Sequence, residues 1–312
     1  MPYLPAHAQH VGLRNYQQDG YGFADPADEA FLAHGGFLAV LCDGMGGMRH
    51  GDVASQTAVH AVLEAYARKL PQESIPEALE RSARAANQQV IEAARNLGAQ
   101  EGVGTTLVAA VLHQQALYFF SVGDSGLFHI RNGQIRTVNR PHVFSNLLDE
   151  AVATGKLSRA EAAQHPERDS LTSFIGIHEL EEIDRNTEAW PVSAGDTILL
   201  ASDGLFKTLE PVEIVQCLKG HPQSWPEALV ERTLSQANPG QDNVTVLSVT
   251  FDTGALGDWI PPVKDSVFTE TPAIERTLPL PSAPPANAWL IAAAFLILVA
   301  IGLGGLWYFS RY

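Results

Sequence analysis

The chain has 312 residues, 46% hydrophobic and 18% charged, with a net charge of −15. That is enough apolar chain for one large or two ordinary domains with a sizeable core. The acidic balance, with no long basic run, speaks against nucleic-acid binding. Two cysteines, Cys42 and Cys217, exclude a disulfide framework and fit a reducing compartment.

From the N-terminus, residues 1–20 hold no continuous apolar stretch, so no signal peptide is expected. "FLAVLCD" (37–43) is a continuous apolar run of the kind buried strands show, and Cys42 within it reads as a small buried hydrophobe. A helical period follows over 52–70 (Val53, Ala54, Thr57, Ala58, Ala61, Val62, Ala65). A second covers 76–97 (Leu79, Ala83, Ala86, Val90, Ala94), with Gly98 as its stop. Residues 105–138 read as consecutive strands joined by short turns, and "NGQ" (132–134) signals a hairpin. Further helices are expected at 144–154, 158–164, 211–218 and 225–236, and further strands at 197–203 and 243–251. Hairpin-linked strands with helices in blocks predict an α+β layered domain with antiparallel sheet, rather than a βαβ repeat.

This domain is expected over 1–252. Residues 253–287 contain seven prolines and read as a semi-extended tether. Residues 288–310 read as a transmembrane helix. Trp289–Phe309 carries no charge, and as a helix it would span about 31 Å, the thickness of a bilayer core. Trp289, Trp307 and Tyr308 flank it as interfacial anchors. The expectation is a single-pass protein of the inner (cytoplasmic) membrane with its folded domain in the cytoplasm.

Four acids border these strands. Asp43 ends "AVLCD", Asp124 ends "FFSVGD", Asp203 ends "LLASD" and Asp242 begins "DNVTVL". One such aspartate is ordinarily a turn residue. Four beside apolar runs would converge if the strands share a sheet edge, and converged, desolvated carboxylates repel one another. A divalent cation resolves the conflict, and all-oxygen donors favour Mg²⁺ or Mn²⁺.

The ordered set "RNYQQD" (14–19), "DGMGG" (43–47), "GTT" (104–106), "VGDS" (122–125), "HPERDSLTSFIG" (165–176), "ASDGL" (201–205) and "DNVTV" (242–246) resembles the metal-dependent protein phosphatases of the PPM, or type 2C, family, in their bacterial branch. The resemblance covers nearly all of 7–251. It implies two antiparallel sheets packed as a sandwich flanked by helices, and hydrolysis of phosphoserine and phosphothreonine in proteins by a metal-bridging water. It further implies that Asp43 bridges two Mn²⁺ or Mg²⁺ ions and that the Gly44 carbonyl binds one of them. Asp203 and Asp242 would bind the other ion, and Asp124 would serve a third, weaker one. Arg14 would hold the substrate phosphate through its two-pronged guanidinium. Asn243 and Gln18 would support this shell from behind. Phosphorylated proteins, as targets of a Ser/Thr kinase or the kinase itself, are the partners so implied.

The chain departs from the family pattern at several positions. Gln18 stands where the family has an acid, Met45 where many eukaryotic members have His, and Ser173 where Arg is common, and no Arg follows Ser125. These departures motivate a second reading, a catalytically weak phosphoprotein-binding or scaffold member of the same fold. Hydrolysis of small phosphoesters is a third. Residues 139–178 resemble the family's flap. With Arg140, Lys156, Arg159 and Arg168 they read either as a lid facing phosphopeptide or as a solvated helix pair. The eleven histidines show no metal-ligand spacing.

Overall fold

The computed structural model describes residues 3–45, 50–99 and 102–252, all within one compact unit spanning 1–261. Its elements in chain order are β1 (Tyr3–His10), β2 (Asp19–Phe23), α1 (Glu29–Gly35), β3 (Phe37–Asp43), α2 (Gly51–Ala67), α3 (Ile75–Asn96), β4 (Leu107–His113), β5 (Ala116–Val122), β6 (Gly126–Arg131) and β7 (Gln134–Thr137). There follow α4 (Phe144–Ala153), α5 (Arg159–Ala163), β8 (Asp184–Arg185), β9 (Trp190–Pro191), β10 (Thr197–Ala201), α6 (Asp203–Phe206), α7 (Pro211–Cys217), α8 (Trp225–Ser235) and β11 (Val244–Phe251).

The strands form two antiparallel sheets. One runs β1-β11-β10-β6-β7, the other β2-β3-β4-β5-β8, with β9 also paired to β5. Alternation along β3 shows how they stack. Phe37, Ala39 and Leu41 meet Leu127, Leu200 and Leu247 of the other sheet. Leu38, Val40 and Cys42 face Ala58, Val62 and Leu79 of α2 and α3. The outer face of the first sheet takes Leu205, Ile214 and Leu229 of α6–α8. A strand buried on both faces needs an unbroken apolar run, and "FLAVLC" supplies it. The result is helices, sheet, sheet, helices, as the family resemblance implies.

Ser74 and Glu77 make a reciprocal capping box at α3, and Gly98, the expected stop, sits beyond its end at φ +65°. Asn132 and Gly133 both take positive φ, 51° and 72°, which joins β6 to β7 with the twist a two-residue hairpin requires.

Three differences from the expected elements have physical causes. The strand expected at 197–203 ends at Ala201, because Ser202 turns the chain and Asp203 opens helix α6. Strand β1 carries Pro5, which is tolerated because β1 lies at a sheet edge with β11 as its neighbour. Strand β2, "DGYGF", looks like loop, but its glycines let α2 lie close: a Cβ on Gly22 would overlap Leu63 Cδ1 at 2.7 Å. Among the described residues no helix is long and apolar enough to cross a membrane. The tether expected at 253–287 and the span expected at 288–310 lie outside the described residues.

Candidate active site

The two sheets bring their polar ends together at one edge. Asp19 starts β2 and stands opposite Asp43, the last residue of β3. Asp124 lies in the turn from β5 to β6, Asp203 begins α6, and Asp242 precedes β11. Burial pushes the Asp43 carboxyl well above the usual range, and the charges of Asp19, Asp203, Asp124 and Asp242 push it further. Burial likewise raises Asp124 to about 6, with Asp203 adding to it. Asp19 is raised to about 6, by burial first, against hydrogen bonds from Thr245 and Ser202 that pull it down.

Asp43 is fixed by main-chain bonds to the "GTT" segment. Its N–H donates to Thr106 Oγ1 at 2.9 Å. Its carbonyl accepts from the Thr105 hydroxyl at 2.8 Å and from the Thr106 N–H at 2.8 Å. Thr106 Oγ1 lies 2.7 Å from Ser125 Oγ, so three sequence motifs interlock here. The loop carrying Asp124 is held by His142, whose Nδ1 accepts from the Gly123 N–H at 3.0 Å. Gly123 sits at φ +95°, a conformation that favours glycine. Gly44 donates to the Gln18 carbonyl at 3.1 Å, and a Cβ there would collide with the Gly51 carbonyl at the start of α2.

The loop 11–18 is clamped by Asn243. Its side-chain oxygen accepts from the Gln18 N–H at 2.7 Å, and its amide donates to Val11 at 2.8 Å and Tyr16 at 3.2 Å. This positions Arg14, whose Nη2 donates to Asp242 Oδ2 at 2.7 Å. Both partners are partly exposed, 46% and 37%. The Gln18 side chain is buried, with its Nε2 against Gly51.

Among the described residues, no group of three or more His, Cys, Asp and Glu side chains is gathered round one point as a ligand set. Two basic side chains lie on the acids instead: Arg14 on Asp242, and Lys207 on Asp203, with its Nζ also 3.9 Å from Asp124 Oδ2. Burial works against the Lys207 ammonium, yet Asp203, Asp124 and Asp43 more than offset it and hold its pKa above the usual lysine value. The donor set nonetheless suits a hard divalent cation. Its side-chain donors are oxygens, and the Asp43 carboxyl is pushed up by burial and by the charges of four other aspartates. One buried carboxylate oxygen, Asp19 Oδ1, has no hydrogen-bond partner, while its Oδ2 accepts from Ser202 at 2.9 Å and Thr245 at 2.6 Å.

Arg14, Asp43, Gly44, Asp124, Asp203, Asp242, Gln18 and Asn243 thus all lie at this edge. Lys207 is not singled out by the sequence, since a lysine four residues after an aspartate is an ordinary helix pair. Nor does the sequence give a positioning role to Thr105, Thr106 or His142. Two of the departures from the family pattern are absorbed by packing. Ser173 is buried and donates to the Glu182 carbonyl at 2.7 Å. A side chain at Gly126 would run into the rings of Phe128 and Phe206. In the 139–178 segment, Arg140 lies 3.7 Å from Glu150 and Arg168 lies 3.9 Å from Asp149, so these two charges are answered within the segment.

The fold matches a class of structures already solved from bacteria. The sequence model for protein phosphatase 2C matches residues 11–238. The serine/threonine phosphatase stp of Listeria monocytogenes is 31% identical over 243 residues, covering 77% of this chain and 92% of the relative. The crystal structure of the Mycobacterium tuberculosis serine/threonine phosphatase PstP/Ppp matches with a TM-score of 0.65 at 27% identity, covering 80% of this chain and 99% of that one. The catalytic domain of PstP in complex with two manganese ions matches with a TM-score of 0.62 at 26% identity, covering 80% and 97%. The chain belongs to the protein phosphatase 2C family.

Proposed function

We propose that this protein, a serine/threonine protein phosphatase, hydrolyses phosphoserine and phosphothreonine in proteins with two Mn²⁺ or Mg²⁺ ions. The observation that carries this reading is the gathering of five aspartates at one sheet edge, with Asp43 repelled by the other four. Asp43, the Gly44 carbonyl, Asp203 and Asp242 are the residues that would hold the two ions, with Asp124 beside them. When bound, such ions supply Lewis-acid charge and lower the pKa of water. The chain's own residues then have distinct tasks. Thr105 and Thr106 hold the main chain of Asp43, which sets the point from which its carboxylate extends. Arg14 stands at the exposed rim and can exchange one carboxylate oxygen of Asp242 for two phosphate oxygens. Asn243 sets the loop that carries it. Met45 has no proton to give, so the leaving group is not protonated by the residue after Gly44. The test is release of phosphate from phosphothreonine peptides by the full chain with Mn²⁺ and with excess chelator. Turnover only with Mn²⁺ supports the reading. Equal rates in both, or turnover of small phosphoesters alone, would reject it.

We also propose that residues 288–310 cross the inner membrane and that 253–287 tether the phosphatase domain to its cytoplasmic face, near kinase targets or the kinase itself. Support comes from the sequence: an uncharged run over Trp289–Phe309 after a proline-rich stretch. Protease added to inverted vesicles should release the domain by cutting within the tether. Protease outside spheroplasts should leave it intact, and the reverse pattern would overturn the topology.

A further inference from the structure

On the phosphatase reading above, Lys207 acquires a role of its own. Lys207 follows Asp203 by four residues, so its ammonium returns over the carboxylate across the short helix α6. An i,i+4 pair on an exposed helix face is ordinary and worth about 0.3–0.5 kcal/mol. This pair differs in two ways. Its acid is only 13% exposed, and the same Nζ lies 3.9 Å from a second acid, Asp124 Oδ2, also 13% exposed. Asp124 comes from the β5–β6 turn, held there by Gly123 and His142, so two unrelated segments converge on one lysine. Half the Lys207 side chain remains exposed, so the ammonium reaches inward from the rim. A cation between two carboxylates of separate segments removes their repulsion, which is what a dissolved ion would do there.

We infer that Lys207 is a built-in cation for the Asp124–Asp203 pair, standing in for a third ion, so that the protein takes two Mn²⁺ and not three. Tethering makes this charge permanent and independent of free metal concentration. It also makes Lys207 a positioning residue, which holds Asp203 through its ion pair.

The experiment is calorimetric titration of the full-length protein with Mn²⁺, with bound ions counted independently by equilibrium dialysis. Wild type and Lys207→Arg, which keeps the charge, should each bind two ions. Lys207→Met should bind a third, weaker ion, and Lys207→Met combined with Asp124→Asn should return to two. Three ions on wild type, or two on Lys207→Met, would overturn the inference and leave the phosphatase reading standing. No Mn²⁺ bound to wild type would overturn both.

Discussion

Arg14 and Asp242 form a partly exposed pair at the rim of the site, where Arg14 is proposed to hold the substrate phosphate. Both are partly exposed, and such pairs contribute about 0–1 kcal/mol to stability. Arg14→Ala should therefore leave the melting temperature almost unchanged. It should raise KM for phosphopeptide roughly ten- to hundred-fold, the scale of a lost charge-assisted bond. Arg14→Lys should recover only part, because an ammonium lacks the fork. Wild-type KM in Arg14→Ala would remove Arg14 from the site. Gln18 offers a second test at this scale. A carboxylate there would add negative charge beside Gly51, whose carbonyl packs on Gly44, so Gln18→Glu should lower the Mn²⁺ concentration giving half-maximal rate. A flat response would place residue 18 outside the metal's reach. Arg14 and the four aspartates beside apolar runs were legible in the sequence because their motifs occur in a fixed order. Lys207 was not, since a lysine four residues after an aspartate reads as any solvated helix pair.

Strand ends and glycines set the geometry. Gly204 lies so close to Asn243 that a Cβ would overlap the Asn243 carbonyl, and Gly44 meets Gly51 in the same way. Gly204→Ala should thus move α6, and Asp203 with it, away from Asp43. We expect a loss on the order of 1–3 kcal/mol, as for overpacking elsewhere, and a drop in Mn²⁺ affinity; chemical denaturation and calorimetry would show both. Unchanged values would mean the backbone there can yield. Most elements were legible: β3, α2, α3, the β6–β7 hairpin and β11 have strong periodicity or buried runs. Strands β1 and β2 were not, because Pro5 and paired glycines conceal edge strands that tertiary contacts make possible. Asp203 was read as a strand end, whereas Ser202 gives its hydroxyl to Asp19 and the helix begins directly after.

Across the whole molecule, the aspartate edge sets conditions for stability. Asp19 and Asp124 are raised from 3.8 to about 6. The folded state then binds their protons more tightly than the unfolded one, so their effect is absent below about pH 4, grows as a loss of stability as pH rises from about 4 to about 6, and levels off above that. A cation relieves this repulsion. The rise in melting temperature on adding Mn²⁺ should accordingly be larger at pH 7.5 than at pH 5. Equal shifts at both values would show that the carboxylates do not face the metal.

We propose Asp43 as the hub of a cation-dependent hydrolytic centre. Asp43→Asn keeps the shape of the side chain and removes the charge that the other acids repel. Mn²⁺ binding and phosphate release from a phosphothreonine peptide should be measured on the same samples of full-length wild type and Asp43→Asn. The account predicts that the variant folds, with a metal-free melting temperature at pH 7.5 equal to or above that of wild type. It also predicts loss of the tight Mn²⁺ binding together with a fall in turnover of at least a thousand-fold, about 4 kcal/mol. A folded variant that binds Mn²⁺ and turns over as wild type does would contradict it.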